Sequence, residues 1–182
     1  ELGPTDVKSL EYFGTRLVMW RTETGDVHIT DAYCPHLGAD LAVGGKVVEG
    51  AIQCPFHHWR FDGTGRCVDV PYATKIPPKA RVKAWPVRER NGLIFVWHGR
   101  SDDSPPSWEI PEIPQLSDPD WLDWSPNCIR IKTHPREIVE NVADSGHFAP
   151  VHGTFVDTFD NELVEHRAIQ RTAGVAYPRG GG

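Results

Sequence analysis

What this sequence has little of narrows its function before any motif is found. No apolar run approaches the roughly 18 residues that a membrane-spanning helix needs, so no membrane segment is expected. Positive charge is in deficit. The 19 Lys and Arg face 25 Asp and Glu, for a net charge of −6, which argues against nucleic acid or an anionic membrane as partner. The opening stretch ELGPTDVKSLEYF lacks a basic segment followed by an apolar one, so it does not read as a secretory signal. Cysteine is scarce, four in 182 residues. Two of the four alternate with histidines, a pattern that points to metal binding in a reducing compartment, the cytoplasm, rather than to disulfides. Cys67 and Cys128 have no such neighbours and read as small buried hydrophobes. What is present, 39% hydrophobic and 24% charged residues, is ordinary for a globular chain with one good core or two small ones.

The first hundred residues read as short strands and tight turns. RLVMW (16–20), VHITDAYC (27–34), GKVV (45–48), AIQC (51–54), VKAWPVRE (82–89) and LIFVWHG (93–99) are strand candidates. TETGD (22–26) reads as a turn, and WRFDGTGRC (59–67) carries a Gly-rich one. Glu49-Gly50 and Asn91-Gly92 are hairpin signals. Strands at this density imply an antiparallel sandwich or barrel. Residues 101–124 then read as an ordered Pro-rich strap, with five prolines between 101 and 121 and tryptophans at 108, 121 and 124 that argue for packing. Beyond the strap, Ile129 and Ile131 alternate with Arg130 and Lys132 as in a strand. A helix is expected from about Pro135, with Thr133 or His134 near its cap. Its apolar stripe is Ile138, Val139, Val142 and Ala143, while Glu140, Asp144 and His147 share another face. The terminal YPRGGG shows no core-like pattern.

CPHLGADLAVGGKVVEGAIQCPFHHW, from Cys34 to Trp59, holds the first cluster of ligand side chains: Cys34, His36, Cys54 and His57. The spacing is C-x-H, seventeen residues, C-x2-H. Structural zinc is the competitor, but it usually draws two cysteines from one element and two histidines from another. Here each loop supplies one sulfur and one nitrogen. That suits two adjacent irons, one taking both cysteines and the other both histidines, the Rieske [2Fe–2S] arrangement. Gly38, Gly44 and Gly45 let the two loops fold back closely.

ENVADSGHFAPVH holds the second cluster, Glu140, Asp144, His147 and His152, as E-x3-D-x2-H-x4-H. Residues five apart on a straight α-helix are about 140° out of register. His147 and His152 therefore converge only if the helix breaks between them. Gly146, Ala149-Pro150 and Gly153 supply the expected break. Two converging histidines would give two legs of a 2-His-1-carboxylate iron site.

CPHLGADL, CPFHHWRF and the second motif resemble the oxygenase components of Rieske non-haem iron oxygenases. DAYCPHLGADL, CPFHHWRFDGTGRC, VPYA, LIFVWH and WEIPEIP resemble the subgroup of 3-ketosteroid 9α-hydroxylase and cholesterol 7-desaturase. The resemblance covers nearly the whole chain. It implies an α+β chain: a mostly antiparallel-β Rieske domain (1–100), the connecting strap (101–124), and the beginning of a helix-grip, START-like catalytic domain (125–182), apparently incomplete. It implies a terminal oxygenase component that uses O2 and reductase-supplied electrons to hydroxylate or desaturate a hydrophobic small molecule, a steroid such as a 3-ketosteroid. The alternatives are an aromatic-ring hydroxylating oxygenase and a Rieske-type electron carrier. The implied cofactors are the [2Fe–2S] cluster and a mononuclear Fe(II) on His147 and His152. The implied partners are an NAD(P)H-dependent flavin or iron–sulfur reductase, or a ferredoxin, and two further copies of the chain in a homotrimer. Asp144 would bridge electron transfer between His147 and a neighbouring subunit's His57. Glu140 is a further active-site candidate. The family's third iron ligand, a carboxylate far downstream, has no match among Asp157, Asp160, Glu162 and Glu165, so the chain is expected to be part of a longer one. Respiratory Rieske proteins carry a second cysteine in each loop, where Ala39 and Phe56 stand here. They also have a serine hydroxyl near the cluster sulfur, so a midpoint nearer about −150 than +300 mV is expected.

Overall fold

The computed structural model describes residues 1–99, 101, 104–122, 125 and 127–176. Contacts divide the chain into two compact units that part after Leu122. Trp124 and the terminal YPRGGG lie outside the described residues.

The first unit is built from antiparallel strands. β1 (Val7–Tyr12), β2 (Thr15–Arg21), β3 (Val27–Asp31) and β8 (Ala84–Trp85) form one sheet in the order β1-β2-β3-β8. β4 (Lys46–Val48), β5 (Ala51–Gln53), β6 (Arg60–Phe61) and β7 (Cys67–Asp69) form a second in sequence order. β9 (Val87–Arg90) and β10 (Leu93–Val96) make a hairpin. Turn chemistry accounts for both hairpin tips. Glu49-Gly50 (φ 51° and 75°) and Asn91-Gly92 (φ 56° and 72°) adopt the paired left-handed conformation that matches strand twist. The expected 82–89 strand is split at Pro86, which has no N–H for a ladder.

Alternation along β2 explains where the core sits. Val18 and Trp20 face a large cluster with Ala32, Leu41, Ile52, Trp59 and Phe61, between the two sheets. Leu17 points the other way, against Ile29 and Trp85, with Val87 and Ile94 of the β9–β10 hairpin over it. Leu17, Val18, Trp20, Ile52 and Phe61 are all fully buried. Each such side chain contributes about 1.5–3 kcal/mol relative to exposure. The strap is fastened to the β9–β10 hairpin by its own polar groups. Asn91 Nδ2 donates to Pro111 O at 2.9 Å and Ile113 N donates to Asn91 Oδ1 at 3.1 Å, while Arg88 and Glu109 pair at 2.9 Å. Trp108 packs edge-on against Trp97, with centroids 6.3 Å apart, whereas Trp121 is 61% exposed.

In the second unit, α1 (Pro135–Ala143) begins where the sequence places it. His134 caps it, its Nδ1 accepting from Arg136 N at 3.1 Å, with Pro135 in the first turn. A long antiparallel hairpin follows, β11 (Thr154–Val164) and β12 (Arg167–Ala176). Two expectations fail here. Residues 128–132 form no strand; Ile129 and Ile131 are 73% and 60% exposed, because alternation without a neighbouring strand to pair with leaves nothing to hold the backbone extended. Cys128, on the same segment, is exposed rather than buried, whereas Cys67 is buried as expected.

Candidate metal centres

The first centre rests on two loops that share a hydrogen-bond pattern. After β3, Gly38 N donates to Cys34 O (2.9 Å) and Cys34 N to Ala39 O (2.9 Å). After β5, His58 N donates to Cys54 O (3.1 Å) and Cys54 N to Trp59 O (2.8 Å). Each loop is thus a Cys-Pro turn closed by a left-handed residue four positions on, Gly38 (φ 76°) in one and His58 (φ 60°) in the other. The histidine stands two after the cysteine in the first loop and three after it in the second, which explains the unequal spacing in the sequence. The first loop is anchored by Asp40. Its Oδ2 accepts from Arg16 Nε on β2 at 2.6 Å, and its Oδ1 accepts from Ala42 N at 2.8 Å. At Gly45 a Cβ would come within 2.0 Å of Leu41 O, so only glycine lets the loop return this tightly.

Together the loops bring all four expected ligands to one place. The His36 and His57 rings lie 4.6 Å apart, edge to face. Cys34 and Cys54 are buried, at 3% and 1% exposure. Burial pushes the Cys34 thiol up to about 11, the His36 N–H opposing this and Cys54 adding to it. In such surroundings an unliganded thiol keeps its proton, and a bound cation is what would release it. His36 Nδ1 is buried with no protein partner, which leaves a nitrogen available to a metal. Among the described residues no three His, Cys, Asp or Glu close around a single ion. The donor set, two thiols and two imidazoles in adjacent loops, fits a two-iron cluster.

The second centre is a local turn. α1 ends at Ala143 with Asp144 extended (φ −92°, ψ 108°), so the break falls before both histidines and not between them. Phe148–His152 forms a π-helical turn, closed by Gly153 in the left-handed conformation (φ 66°), whose N–H reaches Phe148 O and Ala149 O. Bonding from i to i+5 widens the turn, so that residues five apart come back to one side. The His147 and His152 rings accordingly lie 5.2 Å apart. Phe148 packs edge-on against Phe159 of β11 at 5.8 Å, which seats the turn on the hairpin. Asp144 Oδ1 accepts from Gly146 N at 2.8 Å. Its Oδ2 lies 3.4 Å from His147 Nδ1, without hydrogen-bond geometry, and that nitrogen is otherwise unpartnered. Glu140 is paired with Arg136 at 3.2 Å along the helix, away from the histidine pair in sequence and bonding.

Comparison with known proteins decides the family. Residues 1–86 match the Rieske [2Fe-2S] domain family. Residues 96–181 match the family described as the 3-ketosteroid 9alpha-hydroxylase C-terminal domain. The chain belongs to the Rieske non-haem iron oxygenases. It is 44% identical, over 89% of its length, to a 3-ketosteroid-9-alpha-monooxygenase oxygenase component of Rhodococcus rhodochrous, and covers 42% of that protein. It is 42% identical, over 84% of its length, to a cholesterol 7-desaturase of Ciona intestinalis, covering 32% of it. Among solved structures, dicamba monooxygenase bound to dicamba matches 94% of the chain with a TM-score of 0.70 at 26% identity, 53% of that chain being covered. The chain thus spans under half the length of these curated Rieske oxygenase relatives. The cofactors that go with such oxygenases are the [2Fe–2S] cluster and a mononuclear iron.

Among the described residues no helix is long and apolar enough to cross a membrane. The ligand candidates are legible in the sequence, but two features of the site are not. One is the repeated Cys-Pro turn, which the two Cys-Pro dipeptides signal in retrospect. The other is the aromatic packing around the histidines, for which Trp59 and Tyr72 carried no spacing signal.

Proposed function

We propose that this chain is part of the terminal oxygenase component of a Rieske monooxygenase that acts on a steroid. Cys34 and Cys54 would hold one iron of the cluster, and His36 and His57 the other. His147 and His152 would supply two ligands to the mononuclear iron. The observation that carries the reading is the convergence of both histidine pairs: His36 with His57 at 4.6 Å on the repeated loops, and His147 with His152 at 5.2 Å across the π turn. The names of the 44% and 42% identical relatives, a ketosteroid monooxygenase component and a cholesterol desaturase, support the steroid class.

When bound, the cluster passes single electrons, and the mononuclear iron uses them to activate O2 for attack on a C–H bond. The residues of the chain prepare that chemistry. The two Cys-Pro turns preset the thiol and imidazole positions before metal arrives. Asp144, held by Gly146 N, places its Oδ2 3.4 Å from His147 Nδ1, from where a small rotation would let it take that N–H and leave Nε2 for iron. The same carboxylate, 58% exposed, has a face free to meet the His57 of a second copy in a trimer. A reductase drawing on NAD(P)H would supply the electrons.

Asp144→Asn tests this assignment in the full-length protein. The expected outcome is unchanged cluster and iron content with turnover of a 3-ketosteroid lowered about 10- to 100-fold, on the order of what an outer-shell partner of a metal ligand controls. Normal turnover would remove Asp144 from the electron path. Product analysis by mass spectrometry reads the substrate class directly, and no oxidised steroid would refute that part.

A further inference from the structure

His36 Nδ1, the nitrogen left for a metal, has no protein partner, so no hydrogen bond at that atom sets the plane of the ring. What holds His36 is a ring. The Trp59 indole lies parallel to it, with centroids 4.6 Å apart and planes 6° from coplanar. Trp59 is only 8% exposed, packed in the main core with Val18, Leu41, Ile52 and Phe61. Its one polar atom, Nε1, donates to the Tyr72 hydroxyl at 2.7 Å. Tyr72 in turn presents its ring to His57, with centroids 6.4 Å apart and planes at 76°. The two residues form a strut that links the surroundings of both histidines.

We infer that Trp59, braced by Tyr72, is a positioning residue that fixes the plane of the His36 imidazole and lowers the reduction potential of the cluster. This rests on the reading of Cys34, His36, Cys54 and His57 as the cluster ligands. Two effects act in the same direction. With two thiolates and two neutral imidazoles the cluster is electrically neutral when oxidised and singly negative when reduced. The face of an indole carries negative charge density, so placing it on His36 disfavours the added electron. The same ring excludes water, and excluding water disfavours the charged, reduced form. Removing the indole therefore raises the midpoint and frees the ring plane, which the anisotropy of the EPR spectrum reports.

Three substitutions in the full chain separate the parts. Trp59→Leu removes the stack, Trp59→Phe keeps a ring but not the N–H, and Tyr72→Phe removes only the brace. Redox titration followed by circular dichroism gives the midpoint, EPR of the reduced protein gives the g values, and iron and sulfide analysis gives the cluster content. At unchanged content, Trp59→Leu is expected to shift the midpoint upward and displace the g values. Trp59→Phe should restore most of both, and Tyr72→Phe should move both in the same direction by less. Wild-type midpoint and spectrum in Trp59→Leu would overturn the proposal. Should Trp59→Leu fail to hold a cluster, Tyr72→Phe decides, since that hydroxyl belongs to a 62% exposed residue. An upward shift there upholds the strut, and no shift in either Tyr72→Phe or Trp59→Phe overturns it. Absence of any Rieske signal in the wild-type protein would instead overturn the ligand assignment on which the strut depends.

Discussion

The two halves of the chain carry their metal-ligand candidates in opposite ways. The loops of Cys34–His36 and Cys54–His57 rise from a core whose central residues, Val18, Trp20, Leu41, Ile52 and Phe61, have no exposure at all. Beyond Leu122 not one described residue is buried. Ile138, Val139 and Val142, the apolar stripe of α1, are 51%, 67% and 51% exposed, and Phe155 and Leu163 of the hairpin are 57% and 81% exposed. The histidine pair there is held by short-range devices, a helix cap, a π turn and one Phe148–Phe159 contact. A Rieske centre can thus be preformed by packing, while the second site is specified by local turns.

Separating the halves is the harshest way to break this contrast. Residues 1–122 alone should unfold cooperatively in urea and keep the Rieske EPR signal, because their core is complete without the rest. Residues 123–182 alone should show no cooperative transition. A sharp transition in the second piece would contradict the comparison. Next in size is a pair of side-chain truncations. Phe61→Ala should cost about 3–5 kcal/mol in denaturant unfolding of the 1–122 piece. Val139→Ala in the whole chain should stay within about 0.5 kcal/mol, as for a surface change.

A smaller effect distinguishes the first half by pH. His28 packs against Trp20 at 5.4 Å and against Gly63, where a Cβ would meet its ring at 2.2 Å. Burial lowers its pKa, Asp26 and Asp62 opposing the shift, with Arg88 and Glu89 lining the same cleft. The unfolded imidazole takes its proton first, near pH about 6.5. Stability should therefore fall as pH drops below that value and level off below the lowered folded pKa. His28→Gln should flatten this slope in thermal melts between pH 7 and 5, and an unchanged slope would place its origin elsewhere. His58→Gly is a small change of the opposite sign. A left-handed side chain costs about 1–2 kcal/mol and glycine's extra chain entropy returns part of it, so a gain of about 0.5–1 kcal/mol is expected, read as a rise in Tm.

How much of this was legible in the sequence follows from what each element needs. Asn91-Gly92 and Glu49-Gly50 announced their hairpins because the turn itself demands left-handed residues. The α1 boundary was legible from His134-Pro135 for the same local reason. β1 was not foreseen, since VKSLEY is an edge strand with only Val7 and Leu10 half-buried. β11 and β12 were missed because Phe155, Leu163 and Val175 are exposed, Val156, Phe159 and Val164 are only half-buried, and their turn, at Glu165 (φ 53°), uses no glycine. Gly146, Pro150 and Gly153 signalled that the helix could not run through His147 and His152. The i-to-i+5 bonding that joins the two is a backbone choice that composition does not encode. The ligand set was legible because spacing alone limits which side chains one loop can aim together.

The central claim is that one core presents two cysteines and two histidines to a single two-iron cluster. The most direct test is EPR of the dithionite-reduced protein, purified anaerobically, with iron and sulfide measured on the same sample. A Rieske-type spectrum is expected, with about two irons and two sulfides per cluster and one further iron where the histidines of the π turn are loaded. A colourless, EPR-silent protein carrying zinc would contradict it.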